Sequence, residues 1–319
     1  MNDQKILIRD AIMLMCADLK TAGIDSPVLD AQLLLCSVLN TTRTALIASG
    51  DESLSQRDFK LFQSLIERRK TGECTAYITG KKEFWGLDFL VNPSVLVPRP
   101  DTETLVEAAL NKLEDRINIG LVRQPGWLSN KSCSFSAYNL QNCCFNNSIR
   151  VLDLCTGSGA VAISLKHEMP KIEIWAADVS ASALETAGIN ASRLLPTSSI
   201  IHFHEGDLFA ALPTPNLKFA LIVSNPPYIP AGKIKTLPAE VKKEPRIAID
   251  GGKSGLEIIE RIINEAPNFL EQNGMLLLEA DPEQMEKTTN LLEIKGFSGL
   301  QLYKDLSNQA RVISGKYKK

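Results

Sequence analysis

The sequence predicts an α/β chain: a mostly parallel sheet with helices on both faces, preceded by a small helical bundle. Three observations predict it. Residues 1–80 carry apolar side chains at helical spacing. From Arg150 onward, short apolar runs alternate with helical stretches. A glycine-rich turn, Asp153-Leu154-Cys155-Thr156-Gly157-Ser158-Gly159, joins the first of those runs to a helix.

The first region reads as helices. Ile6, Ile8, Ala11, Ile12, Leu14 and Met15 mark one apolar face, and Gly23 ends that helix. Ser26-Pro27 is a start signal for the next, with Leu29, Leu33, Leu34 and Val38 at helical spacing. Ser55 opens another, with Phe59, Phe62, Leu65 and Ile66 inside and Glu67-Arg68-Arg69-Lys70 outside. No chemistry-bearing cluster falls here, so residues 1–80 are expected to recognise a partner or to be structural. Residues 81–100 are expected to form a linker, with Phe84–Val91 and Val95-Leu96-Val97 as a β-hairpin. The hairpin ends in Pro98-Arg99-Pro100-Asp101-Thr102-Glu103, whose prolines forbid regular structure. Asp101 or Thr102 is expected to cap a helix carrying Leu105, Val106, Ala109, Leu110 and Leu113. Residues 115–149 show no sustained period and read as an irregular insertion within a domain spanning 101–319. Cys133, Cys143 and Cys144 lie in it at no spacing typical of zinc.

Strands are then expected at Val151-Leu152, Ile172–Ala177, Ile200–His204, Phe219–Ser224 and Met275–Glu279. Such sheets bind ligands beyond the carboxyl ends of their strands.

Composition narrows the function. The 319 residues suit two domains, and 44% apolar content suffices for a core. A net charge of −2 argues against a grip on long nucleic acid through phosphates. No long apolar run suggests a membrane span, and the polar start Met1-Asn2-Asp3-Gln4-Lys5 lacks a signal-peptide pattern. Seven scattered cysteines fit reduced thiols in the cytoplasm.

Three elements carry the chemistry. Gly157 and Gly159 allow a ligand close to the backbone. Asp178 follows the second sheet strand, about twenty residues beyond Gly159, where nucleotide-binding folds place an acid for the ribose hydroxyls. NAD and S-adenosylmethionine both fit these two. Ala162 satisfies the NAD pattern, but acidic Asp153 suits a ligand with an ammonium and no phosphate. The third element is Asn225-Pro226-Pro227-Tyr228 after the fourth strand. An amide or aromatic NH₂ is a poor nucleophile because its lone pair is delocalised. The Asn225 side-chain oxygen and the Pro226 carbonyl can each accept one of its N–H bonds, the prolines hold that carbonyl rigid, and Tyr228 can stack on the planar target. The expected chemistry is methyl transfer to a planar nitrogen, with Asn225, Pro226 and Tyr228 as catalytic residues. His202, His204, Glu205 and Asp207 alternate as a strand would. Asp207 and Leu208 are better placed as the wall around an adenine than as part of a metal site.

These motifs, with Arg68-Arg69 to Gly80, Phe84-Trp85-Gly86, Glu244-Pro245, Gly251 to Leu256 and Lys304-Asp305-Leu306 to Arg311-Val312, resemble the release-factor glutamine methyltransferases, the PrmC/HemK family. The resemblance spans nearly the whole chain outside 115–149. It implies a Rossmann-like class I S-adenosylmethionine methyltransferase with a mostly parallel seven-stranded sheet and a small N-terminal helical bundle. The implied substrate is the glutamine of the Gly-Gly-Gln motif in class-1 peptide chain release factors. Cys155, Thr156, Gly157, Ser158, Gly159, Asp178, Leu208 and Asn225 would hold the cofactor. Asn225, Pro226, Pro227 and Tyr228 would hold the glutamine, Arg99 and Glu103 would line its pocket, and the bundle would dock the release factor. Cys155 stands where the family usually has glycine, and Ala280-Asp281-Pro282 replaces a commoner glycine-containing stretch. The alternatives are a ribosomal-protein glutamine methyltransferase, an adenine N6 methyltransferase acting on nucleic acid, and a non-catalytic module on the same fold.

Overall fold

The computed structural model describes residues 6–122 and 149–318. Cys133, Cys143, Cys144 and most of the expected insertion lie outside the described residues.

The first region is helical, as its periodicity requires. It comprises α1 (Ile8–Thr21), α2 (Pro27–Leu39), α3 (Arg43–Ala48), α4 (Gln56–Lys70) and α5 (Thr75–Thr79). Two short strands, β1 (Ile6–Leu7) and β2 (Ser53–Leu54), pair antiparallel beside them. Ser55 caps α4 by accepting the Asp58 N–H at 3.1 Å. Ile8, Ala11, Met15, Leu19, Leu34, Leu35, Phe62 and Ile66 form its core. Helical spacing misassigned some faces. Leu14 and Leu29 are exposed, whereas Arg69 is 4% exposed. Arg69 is buried because two carboxylates neutralise it. Its Nε donates to Asp30 at 2.7 Å, and its Nη2 donates to Glu240 of the second region.

The expected hairpin is present with different strands. β3 (Lys81–Phe84) pairs with β4 (Leu87–Leu90) around Trp85-Gly86. Val95-Leu96-Val97 is not a strand, and Val95 and Val97 instead pack with Cys74, Tyr77, Val91 and Ala183. Irregular chain from residue 115 is also corrected, since α6 (Glu103–Val122) is one 20-residue helix.

The second region is built on one seven-stranded sheet: β5 (Arg150–Leu154), β6 (Glu173–Asp178), β7 (Ile201–Glu205), β8 (Phe219–Ser224), β9 (Leu270–Glu279), β10 (Phe297–Lys304) and β11 (Ala310–Tyr317). The order is β10-β11-β9-β8-β5-β6-β7. β5 to β9 run parallel, and β11 and β10 turn antiparallel at one edge. The connecting helices are α7 (Ala160–Glu168), α8 (Ala181–Leu194), α9 (Ala239–Lys242), α10 (Arg246–Ile249), α11 (Glu257–Glu265) and α12 (Met285–Ile294).

Alternation along the strands divides the core into two layers. Val151, Ile174, Leu221, Val223 and Leu277 face α6 and α7. Leu152, Leu154, Ile222, Leu276 and Leu278 face α11 and α12. The strand order reverses between β5 and β8, where Leu154 is in register with Ser224. That switch point opens a crevice beyond both carboxyl ends. No helix among the described residues is long and apolar enough to cross a membrane.

Candidate active site

The crevice is a cavity of about 300 Å³. The chain after β5 contributes Cys155 and Gly157; the chain after β6 and β7 contributes Asp178, Val179, Asp207 and Leu208; the chain after β8 contributes Asn225 and Pro227. Among the described residues, three carboxylates, Asp178, Asp207 and Asp250, line it and no Lys or Arg does. Such a lining repels a diphosphate and attracts a cationic ligand. The residues therefore fit S-adenosylmethionine, whose sulfonium and ammonium are positive, and do not fit NAD.

Gly157 N–H donates to Asp178 Oδ2 at 2.8 Å, and Ser180 N–H donates to Asp178 Oδ1 at 3.0 Å. These two bonds aim the carboxylate at the turn between β5 and α7. Burial raises its pKa. Asp207 pairs with Arg261 at 2.8 Å beside the cavity.

Other residues of the glycine turn brace it from behind. Thr156 and Ser158 are buried and outside the cavity lining, as is Gly159. Asp153 does not face the cavity either. It is 1% exposed, and its Oδ2 accepts from the Thr156 hydroxyl at 2.6 Å and from Ala162 N–H at 3.2 Å. Burial pushes its pKa up to about 7, with Asp178 adding to the effect. Its carboxyl therefore ties the loop to α7, and the electrostatic match to a cation rests first on Asp178, since Asp207 and Asp250 are paired with Arg261 and Arg246. Cys155 lies at φ +59, the left-handed conformation that glycine adopts freely. Burial beside Asp178 keeps its thiol protonated.

The tetrapeptide Asn225 to Tyr228 is clamped from several sides. Gln284 Nε2 donates to the Tyr228 carbonyl at 2.9 Å. A Cβ on Gly255 would fall 2.3 Å from that same oxygen, and one on Gly251 would fall 2.7 Å from Tyr228 Cα. Both glycines let a second segment close onto the tetrapeptide. The Tyr228 hydroxyl points inward, 3.5 Å from Glu279 at the end of β9. Pro226 is buried, and only Asn225 and Pro227 of the four line the cavity.

Pro98 to Glu103 supports the site without lining the cavity. Arg99 Nη2 donates to both oxygens of Glu244 at 2.8 Å, and Glu244 is buried enough that its pKa rises to about 7 against the pull of Arg99. Arg99 faces a separate groove of about 790 Å³, shared with Arg69, Lys81, Lys82 and Glu240. Asp101 pairs with Arg311 at 3.1 Å, and Arg311 also holds Asp305 at 3.2 Å. Glu103 accepts the Trp85 N–H at 2.9 Å and so anchors the hairpin turn. Neither Asp101 nor Thr102 caps α6 through its side chain. Thr102 instead accepts from Asn225 Nδ2 at 3.0 Å.

Sequence reasoning missed Thr102 in this role, with Glu279, Gln284 and Asn190. Asn190 is fully buried. It bonds Leu90 through both ends of its amide and donates to the Ser158 carbonyl, joining the hairpin to the glycine turn. A polar residue inside an apolar helix stripe was the available signal. His202 and His204 stack on Trp175 at 4.7 and 4.9 Å, and no metal-holding group occurs among the described residues.

Comparison with known proteins agrees with this geometry. A family model described as the PrmC N-terminal domain matches residues 10–80, and one described as the methyltransferase small domain matches residues 118–240. The release factor glutamine methyltransferase of Vibrio cholerae is 35% identical over 98% of this chain and 98% of its own. That of Escherichia coli K12 is 35% identical over 92% of this chain and 93% of its own. The catalytic domain of hMettl16, in complex with a MAT2A 3'UTR hairpin, superposes with a TM-score of 0.52 at 15% identity. It covers 80% of this chain and 81% of that one, a likeness of fold alone.

Proposed function

The chain belongs to the release factor glutamine methyltransferase family, and we propose that it methylates N5 of the glutamine in the Gly-Gly-Gln motif of class-1 peptide chain release factors. The observation that carries this is the clamped tetrapeptide Asn225 to Tyr228 at the edge of a carboxylate-lined cavity.

When bound, S-adenosylmethionine supplies a methyl group activated by a positive sulfur. Asp178, Asp207 and Leu208 would hold its nucleoside part, and Cys155, Gly157 and Asn225 would border the rest. The chain's own task is to present the target nitrogen. Asn225 Oδ1 and the Pro226 carbonyl accept its two N–H bonds. That holds the lone pair out of the amide plane and toward the cavity. Pro226 and Pro227 keep the carbonyl from moving. Among the described residues the Asn225 side chain bonds Thr102 and no strong base, and none is required. One N–H proton passes to water once the new C–N bond has formed.

Residues 1–80 would dock the release factor, 81–100 would link, and 101–319 would carry the reaction. Arg99 and Glu103 would serve the substrate indirectly, by bracing the wall beside it. A translation factor as substrate places the enzyme in the cytoplasm. Stable nucleic-acid binding is not part of this proposal, in keeping with the net charge of −2 and the acidic cavity.

The test is mass spectrometry of a release factor and of its Gly-Gly-Gln peptide after incubation with the enzyme and cofactor. One methyl group on the glutamine is expected. Label entering a ribosomal protein, RNA or DNA, with none in the release factor, would overturn the assignment.

A further inference from the structure

An asparagine amide is nearly symmetric in shape but opposite in chemistry at its two ends. The target NH₂ offers only donors, so Asn225 is useful in one of its two flipped orientations. Asn225 Nδ2 donates to Thr102 Oγ1 at 3.0 Å, which leaves Oδ1 for the target. A hydroxyl both donates and accepts, so Thr102 alone does not select this orientation. Its own proton must be drawn elsewhere.

Glu279 is the group that draws it. Its carboxylate is fully buried, and Oε2 has no hydrogen-bond partner among the described residues. Burial raises the Glu279 pKa to about 7, and the adjoining Thr102 draws it back toward the ionised form. An ionised carboxylate accepts and never donates. When Glu279 is ionised and the Thr102 proton is turned to it, the lone pair of Oγ1 faces Asn225, and only the amide NH₂ satisfies it. Thr102 is 4% exposed and ends the helical turn Pro100–Thr102, with its N–H on the Arg99 carbonyl at 3.0 Å. Its neighbours are held as well, Arg99 by Glu244 and Asp101 by Arg311. The relay therefore begins from a fixed point.

We propose that Thr102 is a positioning residue that sets which end of the Asn225 amide faces the target nitrogen, with Glu279 fixing the direction of the Thr102 hydroxyl. This rests on the assignment of Asn225 to the target amide. It also accounts for the place of a threonine in the Pro98 to Glu103 stretch, 123 residues from the asparagine it serves.

The experiment compares Thr102→Val, which keeps the shape and removes the hydroxyl, with Thr102→Ser, which keeps the hydroxyl. Both are made in the full chain and assayed on the Gly-Gly-Gln peptide. Thr102→Val should lower kcat by about tenfold or more, with the cofactor Kd changed less than about twofold. Thr102→Ser should return kcat to within about threefold of wild type. A merely structural role would make both variants depend on folding alone and would move Kd with kcat. Should Thr102→Val fail to fold, Glu279→Gln gives the answer, because its amide can donate back to Thr102. It should lower kcat about fivefold or more in a protein that still unfolds cooperatively. Wild-type kcat in Thr102→Val or in a folded Glu279→Gln would overturn the inference, as would a Thr102→Ser variant as slow as the valine. A wild-type enzyme that leaves the peptide unmethylated would instead remove the functional assignment beneath it.

Discussion

The wall of the cavity after β5, β6 and β7 is made of main chain and spaced carboxylates: Gly157, Asp178, Asp207 and Leu208 each contribute one edge. The wall after β8 is a single tetrapeptide held from behind by Gly251, Gly255, Gln284 and Thr102. The first wall distributes binding over many groups, so the loss of one weakens affinity. In the proposed function the second concentrates its task in one amide and one carbonyl, so the loss of either should slow the reaction itself. The difference follows from the two tasks. A large ligand can be gripped at many points, but one nitrogen offers only two N–H bonds.

The strongest way to break this contrast is Asn225→Ala. It should lower the single-turnover rate by about 10² to 10³, while calorimetry finds the cofactor Kd within about threefold. Equal losses in both would mean that the two walls are not separate.

Next is Gly255→Ala. At φ +82, with a Cβ 2.3 Å from the Tyr228 carbonyl and 2.6 Å from Gln284 Nε2, it has no room. About 2–3 kcal/mol of stability should be lost, together with about tenfold in kcat. Gly157 in the other wall has open space around its Cβ direction despite φ +55. Chemical denaturation of the two alanine variants should therefore rank Gly255 as the more damaging. The reverse ranking would locate the tighter packing in the cofactor wall.

Asp178→Asn should be milder. It should raise the cofactor Kd by about tenfold, while kcat at saturation stays within about threefold. A kcat loss like that of Asn225→Ala would show that Asp178 acts in the reaction step.

The smallest effect concerns pH. Burial holds the Asp153 pKa at about 7, well above the ordinary aspartate range. The folded state therefore keeps this proton where the unfolded state has lost it. Its contribution is fully present below about pH 4 and is lost as pH rises through about 7, with a slope of at most about 1.4 kcal/mol per pH unit. Glu244 and Glu279 titrate in the same direction. Asp153→Asn should therefore flatten, but not abolish, the fall in stability of the cofactor-free protein between pH 5 and 7, as followed by thermal melting. An unchanged slope would place the titration elsewhere.

Much of this molecule was legible in the chain. The five parallel strands, the glycine turn, Asp178 and the tetrapeptide are local patterns of period, proline and glycine, and each occurs where those patterns place it. The antiparallel strands β10 and β11 were not drawn from periodicity, because exposed Leu302 and half-exposed neighbours blur their alternation. Arg69 was assigned outward by helical spacing, yet it is buried because Asp30 and Glu240 are brought to it. The resemblance sets Arg99 and Glu103 in the substrate pocket, and only the fold shows their partners, Glu244 and the Trp85 N–H.

The sequence by itself determined the five parallel strands, the nucleotide-type turn and the chemistry available to Asn225, because these depend on residue types and on neighbours close along the chain. Tertiary structure alone decided which carboxylates face the cavity, what closes behind Tyr228 and which end of the Asn225 amide is free. The physical reason is that a hydrogen bond forms between atoms about 3 Å apart, and no local period records that folding brings Thr102 to Asn225 or Glu279 to Tyr228.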